Sequence, residues 1–154
     1  DIAAYYQTDS QWAEEKIGAT KKTIGAIGCT TTCMAMSESY LTRTEILPNE
    51  MEDQLWYDEN GDMGWPDTYT WTTDETHYLE VIFGKPHEGI PVLVGAERHN
   101  GRPHWVLVTG YQGDASEFTE EDFIINDPLT SYRTTLQQFF DEYPEFYKIA
   151  YYTG

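Results

Sequence analysis

Two apolar runs, "IPVLVGAE" at 90–97 and "HWVLVTGY" at 104–111, flank the polar stretch "HNGRP". Asn-Gly between two such runs is the strongest short-range signal for a β-hairpin, because the turn it favours matches the twist of paired strands. A further short apolar run, "DFIIND", stops at Asp127-Pro128, "LQQFFDEY" reads as a brief helix, and "EFYKIAYY" alternates as a closing strand. Up to about residue 85 the pattern is different and reads as helical or irregular. "SQWAEEKIG" opens on a capping Ser and stops on Gly. "CTTTCMAMSESYLTR" sets Cys33, Met36 and Tyr40 on one core-facing side. "LPNEMEDQLWYDE" carries Pro and acids in its first turn. "TTDETHYLEVIFG" has Thr73 or Asp74 as cap and Gly84 as stop. "NGDMGWPDTYTW" between the last two reads as a loop. Helices followed by an antiparallel sheet predict an α+β fold, and 154 residues without repeat or linker predict one domain over 1–154.

Charge narrows the partners. Nine Lys and Arg against 27 Asp and Glu leave a net charge of −18. Such a surface repels phosphate backbones and anionic lipids, so neither nucleic acid nor a membrane is expected as a partner. Basic or neutral peptides would instead be steered toward it. No apolar run is long enough to cross a bilayer. The chain begins at Asp1, without an initiator Met, as expected of a mature fragment or an excised domain. Two cysteines do not make a disulfide framework and leave the redox compartment open.

Those cysteines, in "IGAIGCTTTCMAM", stand four apart. A disulfide between helix positions i and i+4 is geometrically poor. A zinc site would need two more ligands, and no Cys-x-x-Cys or His-x-x-x-His pair supplies them. Cys33, between Thr32 and Met34 on the apolar face, reads as a small buried hydrophobe. Cys29 follows Gly28 where the helical run begins. There the helix dipole and free backbone N–H groups favour the thiolate, and glycine leaves the sulfur open to a substrate.

A nucleophile needs a base. His77, His87 and His99 fall in polar or turn segments and read as surface residues, whereas His104 opens the strongest apolar strand. A third group usually orients such an imidazole, and "FIINDP" offers Asn126 and Asp127 at the end of the neighbouring strand. An oxyanion donor would come from a side-chain amide beside the nucleophile's own N–H. Gln7 and Gln11, in "YYQTDSQW", are the two candidates.

Together, "YYQTDSQW", "GCTTTCMAM", "IPVLVGAERHNGRPHWVLVTGY" and "FIINDP" resemble, in order, the motifs of the bacterial papain-like peptidases related to the double-glycine leader peptidases, the C39-like group. The likeness spans roughly residues 4 to 141. It implies a papain-like cysteine peptidase fold, with an N-terminal helical part packed on a C-terminal antiparallel sheet. By the same resemblance Cys29 is the nucleophile, His104 the general base, Asp127 the orienting carboxylate and Gln7 the oxyanion donor. It further implies a peptide or protein substrate and no cofactor or metal. The expected location is extracellular, secreted or at the cell surface, within a larger secreted multidomain protein. Thr30, Thr31 and Thr32 stand where the family usually has Gly-Pro or Gly-x, and are expected to crowd the sulfur. Two other functions compete: a peptidase-like binding module without turnover, and calcium binding by "DENGD" at 58–62. That last stretch starts like an EF-hand loop but has Met63 where the loop needs Gly and Tyr69 where it needs Glu.

Overall fold

The structure, a computed structural model, describes residues 2–113 and 119–154. The expected single domain and the resemblance over residues 4 to 141 both cross 114–118, and those residues, like Asp1, lie outside the described ones. Five α-helices are formed among the described residues: α1 (Ile24–Ile27), α2 (Cys29–Thr42), α3 (Pro48–Gln54), α4 (Tyr78–His87) and α5 (Leu136–Glu142). The strands are β1 (Trp56–Tyr57), β2 (Met63–Gly64), β3 (Tyr69–Thr72), β4 (Val92–Glu97), β5 (Pro103–Tyr111), β6 (Phe123–Asn126) and β7 (Glu145–Tyr152). The fold is α+β and consistent with a papain-like architecture.

The hairpin forms where Asn100-Gly101 demands it. β4 and β5 pair antiparallel from Val92 opposite Val108 to Glu97 opposite Pro103, and Gly101 closes the turn at a φ of +87°. β7, expected to close the sheet, instead lies inside it, in the order β3-β7-β4-β5-β6 with every pairing antiparallel. Alternation along the strands splits the core in two. Val92, Val94, Val106, Val108 and Ile149 face α4 and α5, packing on Ile82, Leu136 and Phe139. Leu93, Leu107 and Ala150 face α2, packing on Cys33, Met34, Ala35 and Met36. The sheet is thus covered on both faces, and α2 is buried on every side from Thr31 to Ser37.

Several elements depart from the sequence reading. "SQWAEEKIG" forms turns and no helix, because the carbonyls of Ala13 and Glu15 accept from Gly25 and Ile24 instead of from their own chain four residues on. Tyr40, expected in the core, is 38% exposed beyond the buried part of α2. α3 ends at Gln54, so the end of the stretch read as helical supplies β1, and the supposed loop after it contains the paired strand β2 and most of the edge strand β3. α4 starts at Tyr78, since Asp74 spends its carboxylate on the N–H groups of Thr76 and His77 in a preceding turn. It also runs past Gly84. Its stop is Gly89 at a φ of +82°, where Gly89 N–H donates to Pro86 O and Ile90 N–H to Lys85 O, the paired bonds of a Schellman ending.

Candidate active site

Thr23 caps α1 with its hydroxyl on Ala26 N–H, and α1 ends one residue before α2 begins. That residue is Gly28, where a Cβ would lie 2.5 Å from Ile24 O and 2.8 Å from Ile24 Cα. Only glycine lets the two helices meet so closely, and the junction sets Cys29 as the first residue of α2. Had α1 run on, Cys29 N–H would bond to Gly25 O. That carbonyl accepts instead from Gln7 Nε2 at 3.2 Å, and Cys29 N–H makes no backbone hydrogen bond among the described residues. Gln7 is itself fixed by its backbone N–H on Pro128 O at 2.9 Å, which ties the N-terminal segment to the residue after Asp127. Gln7 lines the same cleft as Cys29, and its Oε1 is buried without a partner among the described residues.

His104 enters from β5, its side chain on the α5 side, with Tyr143 and Phe139 ring centroids 5.2 and 5.9 Å away. Its Nε2 lies 2.7 Å from Asp127 Oδ1, leaving Nδ1 for the sulfur. Asp127 follows β6, and its carboxylate is fully enclosed. Oδ1 also accepts from Leu129 N–H at 2.8 Å, and Oδ2 accepts from Arg133 Nε at 2.6 Å.

The electrostatics follow from this packing. Burial alone would push the Cys29 thiol up, but the hydrogen bond and charge of His104 overcome it and the thiol is held below its ordinary value. Burial likewise acts to lower His104, but Asp127 on one side and Cys29 on the other raise it to about 9. Asp127 stays below the usual carboxylate range despite burial, through His104 first and then Arg133. At neutral pH the arrangement therefore favours a thiolate against an imidazolium, the charged pair that makes sulfur nucleophilic.

The pair sits in a cleft of about 880 Å³. Its walls include Gln7, Gly25 and Thr30 near the sulfur, Trp65, Trp105 and Tyr147 on the sheet side, and the 58–62 turn opposite. The crowding expected of the three threonines is limited to one. Thr32 is fully buried, Thr31 lines the cleft but is buried with its hydroxyl bonded to Tyr57, and Thr30 holds its hydroxyl 4.0 Å from the sulfur. Trp65 lines the cleft against Trp105, while Tyr69 goes to the core and Trp71 to the surface.

Of the residues singled out in the sequence, Cys29, His104, Asp127 and Gln7 converge here. Gln11 lies exposed, with its backbone N–H on Asp9, and Asn126 reaches back to the carbonyls of Ile2 and Ala3. His77 pairs with Asp74 and His99 with Glu145 at the surface, and His87 packs on Phe83 and Tyr111. Cys33 is a buried free thiol bonded to Trp105 O. In the 58–62 turn, Asp58 Oδ1 accepts from the backbone N–H groups of Asn60 and Asp62, and no cluster of three metal-ligating side chains occurs among the described residues. Sequence reasoning missed Arg133. Nothing in "LTSYRTT" marks it, since its partners lie six and nine residues away.

A family model described as the Peptidase_C39 like family matches residues 1–152. The chain belongs to that family. Comparison with curated proteins and with solved structures found no significant match. Membership of the C39-like family points to cysteine-peptidase-type function.

Proposed function

We propose that the protein is a cysteine peptidase acting on peptides or proteins, with Cys29 as nucleophile. The Cys29 thiolate adds to the scissile carbonyl carbon, and the carbonyl π pair moves onto oxygen. Gln7 Nε2–H and Cys29 N–H donate to that oxyanion. Collapse expels the amine, which takes the Nδ1 proton of His104 as the C–N bond breaks. His104 then removes a proton from water, whose oxygen attacks the thioester, and the carboxylic acid departs with the Cys29 thiolate restored. Asp127 holds the imidazole by Nε2 throughout. No cofactor enters these steps.

The observation that carries the reading is the placement of His104, which lines one cleft with Cys29 while its Nε2 lies 2.7 Å from a buried carboxylate; the thiol pushed down and the imidazole pushed up to about 9 follow from it. Iodoacetamide tests it. At about pH 6 Cys29 is expected to alkylate far faster than a free thiol of ordinary pKa, about 8.5. A rate no faster than that thiol's would overturn the proposal. Digestion of a peptide library tests turnover, and cleavage that survived Cys29→Ala would place the chemistry elsewhere.

A further inference from the structure

We infer that Arg133, anchored by Glu142, is a positioning residue of this site, holding His104 on two sides at once. The inference rests on the reading of Cys29 and His104 as nucleophile and base. Asp127 is enclosed, and only one of its oxygens faces His104. That oxygen also accepts from Leu129 N–H at 2.8 Å, and the carboxylate's remaining freedom is taken up by the other one, which accepts from Arg133 Nε at 2.6 Å. Arg133 is itself 4% exposed, a buried cation whose Nη1 donates to Glu142 Oε2 at 2.8 Å and to the Tyr132 hydroxyl at 3.1 Å. Its guanidinium also lies 5.5 Å from the centre of the Tyr143 ring, and that ring covers the His104 imidazole. One side chain thus touches both the hydrogen-bond partner of His104 and the ring that packs on its face. The planar fork makes this possible: Nε serves Asp127 while Nη1 serves Glu142, a division an ammonium group cannot copy.

In the series Glu142–Arg133–Asp127–His104–Cys29 the three inner members are buried and the two ends partly exposed, so α5 links the surface to the sulfur through consecutive contacts of 2.8, 2.6 and 2.7 Å before the final pair. The charged and titratable groups facing this chain are Cys29 and Cys33 from α2, Arg98 beyond β4, Tyr132, and Tyr143 after α5. Arg98 also meets Glu142, at 3.7 Å, and lies 4.5 Å from the centre of the Tyr143 ring, so it shares those two neighbours with Arg133, but among the described residues no hydrogen bond or ion pair joins it to Asp127. It is therefore the natural control.

The test measures the iodoacetamide rate of Cys29 and the melting temperature in wild type, Arg133→Met, Arg133→Lys, Glu142→Gln and Arg98→Met. Without Arg133 the buried Asp127 loses a partner that keeps it ionised, so its hold on imidazolium weakens and the acid limb of the rate profile moves to higher pH. On the acid side of the wild-type limb the Arg133→Met rate is expected to fall roughly tenfold, one pKa unit's worth. Arg133→Lys should recover part of it, Glu142→Gln should lose less, and Arg98→Met should match wild type. Arg133→Met alkylating within about twofold of wild type would overturn the inference, as would an equal loss in Arg98→Met, which would assign Arg133 to the scaffold alone. A wild-type Cys29 that behaves as an ordinary thiol would instead overturn the proposed function, so the two failures are told apart. Should Arg133→Met not fold, Arg133→Lys and the half-exposed Glu142→Gln decide on the same criteria.

Discussion

An imidazole held near neutrality would lose its proton in the middle of the working pH range, but His104 is raised to about 9 by Asp127 and Cys29 against the opposing effect of burial. The proton that leaves with the amine is therefore present below that value and lost as pH rises through it. On the proposed mechanism kcat/KM is expected to hold through neutral pH and to fall with a basic limb near 9, a profile read from initial rates on one peptide across a buffer series. A basic limb near the ordinary histidine value would show that the Cys29–His104 pair does not form. Residue types carried much of this site in advance. A Cys after Gly at a helix start, a His at the head of a strand and an Asp before Pro are each legible because their local backbone roles constrain them. Arg133 was not, because its role depends on a buried carboxylate that only the folded chain brings to it.

At the scale of elements, the legible parts were those whose hydrogen bonds stay local. α2 satisfies its backbone within its own turns and the β4–β5 pair closes on a short turn, and each appears where periodicity and turn chemistry set it. The segment 10–18 failed as a helix because its carbonyls are claimed by residues some ten positions on, which no local pattern records. Gly84 misled for a related reason: a glycine inside a helix costs only about 1 kcal/mol, whereas the true stop, Gly89, is fixed by a left-handed φ. The junction of α1 and α2 carries the sharpest prediction at this scale. Gly28 has ordinary dihedrals, so Gly28→Ala strains nothing locally, but its methyl would meet the Ile24 backbone at 2.5 Å. The helices must separate to admit it, and α2 carries Cys29 with it. Thermal melts should show a loss of about 1–3 kcal/mol, the usual cost of forced overpacking. The alkylation rate should fall alongside. A variant with unchanged stability and reactivity would show that the junction tolerates spreading without moving the sulfur.

Over the whole molecule the charge of −18 and the local charge of the cleft disagree in sign. The lining includes Lys22, Arg102 and Lys148 against Asp62 and Glu97, so the acidity lies on the outer surface and not around Cys29. Lys22 donates to Asn60 O and so braces the 58–62 turn that walls the cleft, and Lys148 stacks on Trp71 and Tyr147. Steering by the outer surface acts on encounter over distances of a Debye length, about 10 Å at 0.1 M salt, while groups inside the cleft act at contact and are screened less. The two contributions separate by salt. For a cationic peptide substrate, raising salt from low to roughly physiological strength should lower kcat/KM while leaving kcat unchanged, since only association is steered. An anionic peptide should show the opposite trend, its approach being released from repulsion. Steady-state rates on two peptides of equal sequence around the scissile bond and opposite flanking charge make the comparison. If salt moved kcat instead, the responding charges would be those lining the cleft, and Arg102, which forms no ion pair among the described residues, would be the first to replace.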